Sequence, residues 1–226
     1  MLRKLIALNQ KGIWLSILLA ASLLITGCPT SPSASPLPEI REYRGQKLSS
    51  VNDFRENSIK GPQQINIETY RLKISGLVAT PKEYTYSQVL SDRQTYKKVI
   101  TLHCVEGWNV TLLWEGILLK DLFNEAGMKP EAKTVIFHSY DGYTTSLPVD
   151  YFVSRNIMMA FKMNEIPIPP ERGYPFMVAC EDKWGYKWAK WVTEIELSAD
   201  TKYRGWWESR GYSNTGDYPG IYFEVP

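Results

Sequence analysis

Apolar and polar residues alternate along residues 70–78, Tyr-Arg-Leu-Lys-Ile-Ser-Gly-Leu-Val. Tyr70, Leu72 and Ile74 fall on one side and Arg71, Lys73 and Ser75 on the other, which predicts a half-buried strand. Pro81 then opens a turn, and a short helix carrying Val89 and Leu90 is expected after it. Residues 97–103 read as a second strand that runs into Cys104. Over 116–127 the period changes: Leu118, Leu122 and Ala126 have helical spacing, Gly127 suits the position just past a helix end, and Pro130 blocks continuation. Residues 134–148 read as two strands around Asp141-Gly142, a hairpin turn signal. Further strands are expected over 156–163 and 176–180, with a proline-rich loop between them. In the last strand Trp191, Thr193, Ile195 and Leu197 would share one face. The tail from Tyr203 onward is dense in aromatics, Gly and Pro, and reads as ordered coil laid on the surface, because so many exposed aromatics would promote aggregation. Strands outnumber helices and do not alternate with them, so the predicted class is α+β with a mixed sheet, in a single domain.

The N-terminus departs from these patterns. Arg3, Lys4 and Lys11 flank an apolar run from Ile13 to Ile25 that is shorter than the roughly 20 residues of a spanning helix. It has the length of a signal-peptide apolar region. The run ends in Ile25-Thr26-Gly27-Cys28, which resembles the lipobox of bacterial lipoproteins, in which Cys28 would carry the lipid anchor; a plain signal peptide with an incidental cysteine is the alternative. A Pro/Ser-rich stretch with no apolar face follows. The expected organisation is a lipoprotein signal peptide over 1–27, a tether over 28–45 and a folded domain over 46–226, exported and held at the outer face of a membrane. Arg3-Lys4 is not a twin-arginine pair, so the chain reads as exported unfolded.

Composition narrows the function classes. Of 226 residues 44% are hydrophobic, enough for a core without metal or disulfide staples, and the net charge of +2 argues against a nucleic-acid binder. Beyond Cys28 there are two cysteines, Cys104 and Cys180, and no Cys-x-x-Cys, which excludes a thioredoxin-type motif. In an oxidising compartment the two would pair as a disulfide in a cofactor-free binding or structural module. With only His103 and His138 there is no zinc-ligand cluster. His103 would point away from Cys104 on a strand, and His138 sits in an apolar run as a satisfied histidine rather than a catalytic base. No glycine-rich phosphate loop is present. Cys104, where a strand passes into the loop Val-Glu-Gly-Trp, is placed where sheets present functional groups, and a lone thiolate there suits a soft metal whose other ligands arrive on a cofactor.

Seven stretches in order, including Ser50–Ser58, Cys104–Phe123, Asp141–Asp150, Lys183–Leu197 and Trp206–Asn214, resemble the molybdopterin-binding domain of the sulfite oxidase family, across roughly residues 46–216. Within it the likeness is to the exported single-domain type, similar to catalytic subunits of periplasmic methionine-sulfoxide reductases. The resemblance implies a molybdenum–molybdopterin cofactor, with Cys104 as metal ligand. It implies pterin contacts at Asn52, Arg55 and Glu56, pterin and phosphate contacts at Gly185, Tyr186 and Lys187, and a substrate-side tyrosine at Tyr212, whose other reading is a packed tail aromatic. The implied activity is oxygen-atom transfer to or from a small substrate such as a sulfoxide or sulfite, with electrons exchanged through a separate membrane or soluble partner. There is no Cys-x-x-Cys-His haem motif. Two positions depart from the family: Met177 stands where it has an arginine, and Arg172 where it has His or Asn, so Arg172 is a candidate to restore that charge across the loop.

Overall fold

The computed structural model describes residues 38–224. The apolar run 13–25, Cys28 and the first part of the expected tether lie outside the described residues. Packing begins earlier than the expected boundary at 46. A short hairpin pairs β1 (Glu42–Tyr43) with β2 (Gln46–Lys47), and the Glu39 carboxylate accepts hydrogen bonds from the Ser50 hydroxyl (2.5 Å), the Val51 N–H (2.8 Å) and Asn164 Nδ2 (3.1 Å). Residues 39–45 are thus fastened to the domain.

The alternation at 70–78 becomes β3 (Leu72–Gly76), with Leu72 and Ile74 fully buried and the Tyr70 hydroxyl donating to the Val192 carbonyl at 2.5 Å. β4 (Lys82–Tyr84) precedes the expected helix, α1 (Tyr86–Leu90), which starts at a capping box: Thr85 Oγ1 accepts from the Gln88 N–H, and Thr85 N–H donates back to Gln88 Oε1. β5 (Tyr96–His103) pairs along its whole length with β6 (Asn109–Leu118).

β6 corrects the expected helix over 116–127. Gly116 to Leu118 belong to the strand, and α2 covers only Leu119–Glu125. Gly116 sits against β9 (Met158–Met163), where a Cβ would lie 2.3 Å from the Met159 carbonyl oxygen, so the close pairing of β6 and β9 requires glycine there. Gly127 does end the helix as expected, at φ +68°.

The Asp141-Gly142 hairpin forms between β7 (Thr134–Ser139) and β8 (Thr144–Pro148), followed by α3 (Val149–Ser154). The proline-rich loop holds β10 (Ile166–Pro167) and leads to β11 (Met177–Ala179); the last strand is β12 (Val192–Ser198). Here too the structure differs from the expected face. Trp191 precedes the strand at φ +51°, and a register shift between Val192 and Glu194 puts Val192, Ile195 and Leu197 in the core while Thr193 is only half-buried.

Two sheets result. One has the order β10-β9-β6-β5 with β11 also on β9, all antiparallel. The other has the order β4-β3-β12-β7-β8 and is mixed, since β12 runs parallel to β3 and antiparallel to β7. One core joins them, with Leu72, Leu112, Trp114, Phe123, Phe137, Phe152, Phe176 and Ile195 buried together. The aromatic tail is ordered, as expected: Tyr212 bridges to Phe223, and Trp206 N–H donates to the Thr144 carbonyl at 2.8 Å. Among the described residues no helix is long and apolar enough to cross a membrane.

Candidate active site

The β5–β6 connection is a tight loop. Cys104 N–H donates to the Trp108 carbonyl at 2.9 Å, and Gly107 N–H donates to the Cys104 carbonyl at 3.0 Å. The loop closes the two longest strands of the sheet, so the Cys104 backbone is held by their full ladder. Its thiol faces a cavity of about 260 Å³. The other walls come from the Phe54–Ile59 loop, the β7–β8 turn, Met177, residues 185–191 and the tail at Trp207 and Tyr212.

Cys104 is 8% exposed, and burial is the largest influence raising its thiol above the ordinary value; the Glu106 carboxylate acts in the same direction. Glu106 accepts from Asn57 Nδ2 (2.9 Å) and Trp108 Nε1 (3.0 Å), and its Oε2 lies 3.8 Å from Cys104 Sγ. Tyr212 borders the same space, its ring 5.1 Å from Tyr186 and 5.2 Å from Trp207; burial raises its phenol, with a smaller push from Cys104 and Glu106. Tyr186 is anchored by its hydroxyl, which donates to the Ser213 carbonyl at 2.8 Å.

Of the residues that the resemblance named, Cys104, Arg55, Gly185, Tyr186 and Tyr212 line the cavity. Asn52, Glu56 and Lys187 do not. Asn52 is exposed on a 3-10 turn whose cap is Ser50. Glu56 lies behind the wall, accepting from Lys190 Nζ at 3.2 Å. Lys187 is the clearest correction. Its side chain is fully buried, its ammonium pairs with Glu208 and donates to the Ser146 carbonyl at 3.0 Å, and so its charge is neutralised inside the protein rather than presented to a phosphate. Met177 lines the cavity, whereas the Arg172 guanidinium stands over Phe54 and close enough to Lys190 to disfavour its charge.

Lys190 faces the cavity, as Arg55 does. Burial lowers its ammonium below the ordinary value, and Glu56 partly restores it. Residues 185, 186, 188, 190 and 191 line the cavity while Lys187 and Ala189 turn into the protein. Sequence reasoning also passed over Ser58 and Ser139. Both hydroxyls are buried at the cavity without a hydrogen-bond partner in the protein, a costly arrangement unless a ligand meets them. One soft donor at Cys104, two unpartnered hydroxyls and a buried ammonium fit a group that carries a thiophilic metal at one end and polar, anionic atoms at the other. Cys104, Ser58, Ser139, Lys190 and Arg55 would hold it.

The disulfide expected of a cofactor-free module does not form. Cys104 and Cys180 are both free, and the Cys180 thiol donates to the Lys187 carbonyl at 3.2 Å. His138 is hydrogen-bonded to Glu196 at 2.9 Å, and His103 stacks on Tyr218 with ring centroids 3.7 Å apart. Among the described residues no group of three or more His, Cys, Asp and Glu side chains could hold a metal by itself, so a metal here depends on ligands from elsewhere.

Comparison with known proteins gives the same picture. The family model described as oxidoreductase molybdopterin binding domain matches residues 59–207. The chain is 32% identical over 157 residues to the uncharacterized oxidoreductase YuiH of Bacillus subtilis (strain 168), covering 69% of this chain and 78% of that protein. It is 24% identical over 201 residues to the protein-methionine-sulfoxide reductase catalytic subunit MsrP of Gluconobacter oxydans (strain 621H), covering 79% of this chain and 62% of that one. The sulfane dehydrogenase SoxCD from Paracoccus pantotrophus has the same fold, with a TM-score of 0.63 at 24% identity over 71% of this chain and 44% of its own. The chain therefore spans less than two thirds of MsrP and less than half of the SoxCD chain.

Proposed function

The chain belongs to the oxidoreductase molybdopterin-binding domain family, of the sulfite oxidase type, and on that premise we propose that it is a molybdenum enzyme transferring an oxygen atom to or from a small substrate such as a sulfoxide or sulfite at the outer side of a membrane. The observation that carries the reading is the Cys104 thiol at a cavity that also holds the unpartnered hydroxyls of Ser58 and Ser139. When bound, the cofactor supplies the two-electron redox change and the transferable oxygen. The protein supplies position and field. Cys104 offers the single protein donor from a loop fixed by two strands. Lys190 and Arg55 offset anionic charge, and Ser58 and Ser139 hydrogen-bond polar atoms. Trp108, Trp207 and Tyr186 would exclude water from the remaining space, and the Tyr212 hydroxyl would hydrogen-bond a substrate oxygen. Electrons come from or go to a separate membrane or soluble carrier. The N-terminal run with Cys28 supports the outer location through a lipid anchor.

The test is molybdenum content, by mass spectrometry, of the protein purified from its native membrane, followed by assay of sulfoxide reduction and sulfite oxidation. One metal per chain is expected. Cys104→Ser should abolish it while changing stability by less than about 1 kcal/mol, because no disulfide is lost; a structural bridge would instead cost about 2–5 kcal/mol. Absence of molybdenum from the native protein would refute the assignment.

A further inference from the structure

The chain enters the fold beside a basic face. Ile40 N–H donates to the Asn164 carbonyl at 3.1 Å in the turn between β9 and β10. The next residue, Glu165, accepts from Lys97 Nζ at 2.7 Å at the start of β5. That hydrogen bond is the main reason the Lys97 ammonium is held above its ordinary value, and the Tyr43 phenol of the N-terminal hairpin contributes to it. The chain entry, the hairpin and the start of β5 are therefore neighbours.

A second, open cavity of about 320 Å³ lies on this face, lined by Tyr96, Lys97, Lys98, Lys120 and Arg155 with no carboxylate among its walls. Carboxylates approach only from the flanks. Glu165 and Glu115 pair with Lys97, Glu181 with Lys98, and Asp182 with Arg155, while Glu115 also meets Lys162. Among the described residues no carboxylate lies within 4.0 Å of Arg44, Lys47 or Lys120. Tyr96 is 40% exposed.

We propose that this face rests on anionic lipid headgroups, with the N-terminal segment as its tether. Lysines and arginines near such a surface are attracted to it, and tyrosines are favoured at the headgroup level. A net excess of a few charges would be weak for a free protein. From Cys28 to Pro38, however, the chain reaches at most about 35 Å, so the surface is always within range and modest attraction decides which face turns toward it. β5 gives the consequence for the active site. Lys97 stands near one end of the strand and Cys104 just past the other, about 23 Å away at strand rise. Cys104 then stands well away from the lipid. A redox protein docked on the basic face would stand equally far from Cys104, which favours lipid as the occupant.

The inference rests on the membrane location proposed above for its anchor, and the test separates the two. The lipidated chain purified from its native membrane is added to vesicles of phosphatidylcholine alone or enriched in phosphatidylglycerol, and lysine acylation is mapped by mass spectrometry. Severalfold protection of Lys47, Lys97, Lys98 and Lys120, against Lys60, Lys73 and Lys129 as references, is expected only with the anionic vesicles and only at low salt. The triple variant Arg44→Glu, Lys47→Glu, Lys120→Glu should remain vesicle-bound and lose the protection of Lys97 and Lys98. A chain that binds both vesicles with an even footprint overturns the orientation and leaves the anchor standing. A chain that binds neither overturns both.

Discussion

Removing the charge of Lys187 should destabilise the fold without emptying the cavity. Lys187 and Glu208 are both 0% exposed. The Lys187 ammonium is pulled down by burial, which the Glu208 charge only partly offsets. Around the pair, Thr145 Oγ1 donates to Glu208 Oε1 at 2.5 Å, Lys187 Nζ donates to the Ser146 carbonyl, and Glu208 Oε2 has no partner. In Lys187→Met the carboxylate keeps a single hydroxyl donor, and breaking a buried pair from one side costs about 3–5 kcal/mol. For a domain of this size each kcal/mol moves the melting temperature by about 2–4 °C, so Tm should fall by about 6–20 °C. Adding Glu208→Leu removes the orphaned charge and should return the protein to within about 2 kcal/mol of the parent. Recovery is incomplete because Thr145 loses its acceptor. Urea unfolding with an unchanged m-value would measure both effects. Molybdenum content of the double variant should match the parent, because the ammonium does not reach the cavity. A loss under about 1 kcal/mol in Lys187→Met, or a stable double variant devoid of metal, would refute the reasoning.

Lys190→Met should do the opposite, keeping stability within about 1 kcal/mol while metal occupancy falls to a minor fraction, read by mass spectrometry on the folded protein. Tyr212→Phe keeps the ring against Tyr186 and Trp207 and removes the hydroxyl, so kcat should fall about 100-fold with metal content intact; unchanged kcat would leave Tyr212 as tail packing alone. Glu39→Gln tests the N-terminal fastening. Burial raises the Glu39 carboxyl, but hydrogen bonds from Ser50, Val51 and Asn164 outweigh it and hold it below its ordinary value. A depressed carboxyl stabilises the fold above its unfolded-state pKa and loses that contribution as pH falls through the folded value. The variant should therefore be less stable by about 1 kcal/mol at pH 7, and the gap should close below pH ~4 in denaturant titrations.

Much of the fold was readable because its signals are local. The 70–78 strand alternates cleanly, and Asp141-Gly142 makes its hairpin from two residues. β6 was hidden because Leu112 and Trp114 on one face and Leu113 and Glu115 on the other are all buried, so no polar side marks its period, and the leucines that follow mimic a helix. The Glu39 fastening was masked by its Pro/Ser-rich neighbourhood, since its partner Asn164 lies far along the chain. Cys104 was legible from its place after a strand. Lys190 was not, because Lys187 sits nearer the recognisable triplet, and only the side to which each lysine points separates them.

The walls of the candidate active site begin at Phe54 and end at Tyr212, with Cys104 about a third of the way along that interval. No nascent fragment that stops short of the tail contains the complete pocket. The pieces meet only after contacts across most of the chain have formed, which are the slowest a polypeptide makes. A chain threaded unfolded through a translocation pore would therefore reach the far side with its thiol in place and no pocket around it. Acquisition of the pterin would have to follow tail docking, which makes Trp207 and Tyr212 the gatekeepers of maturation.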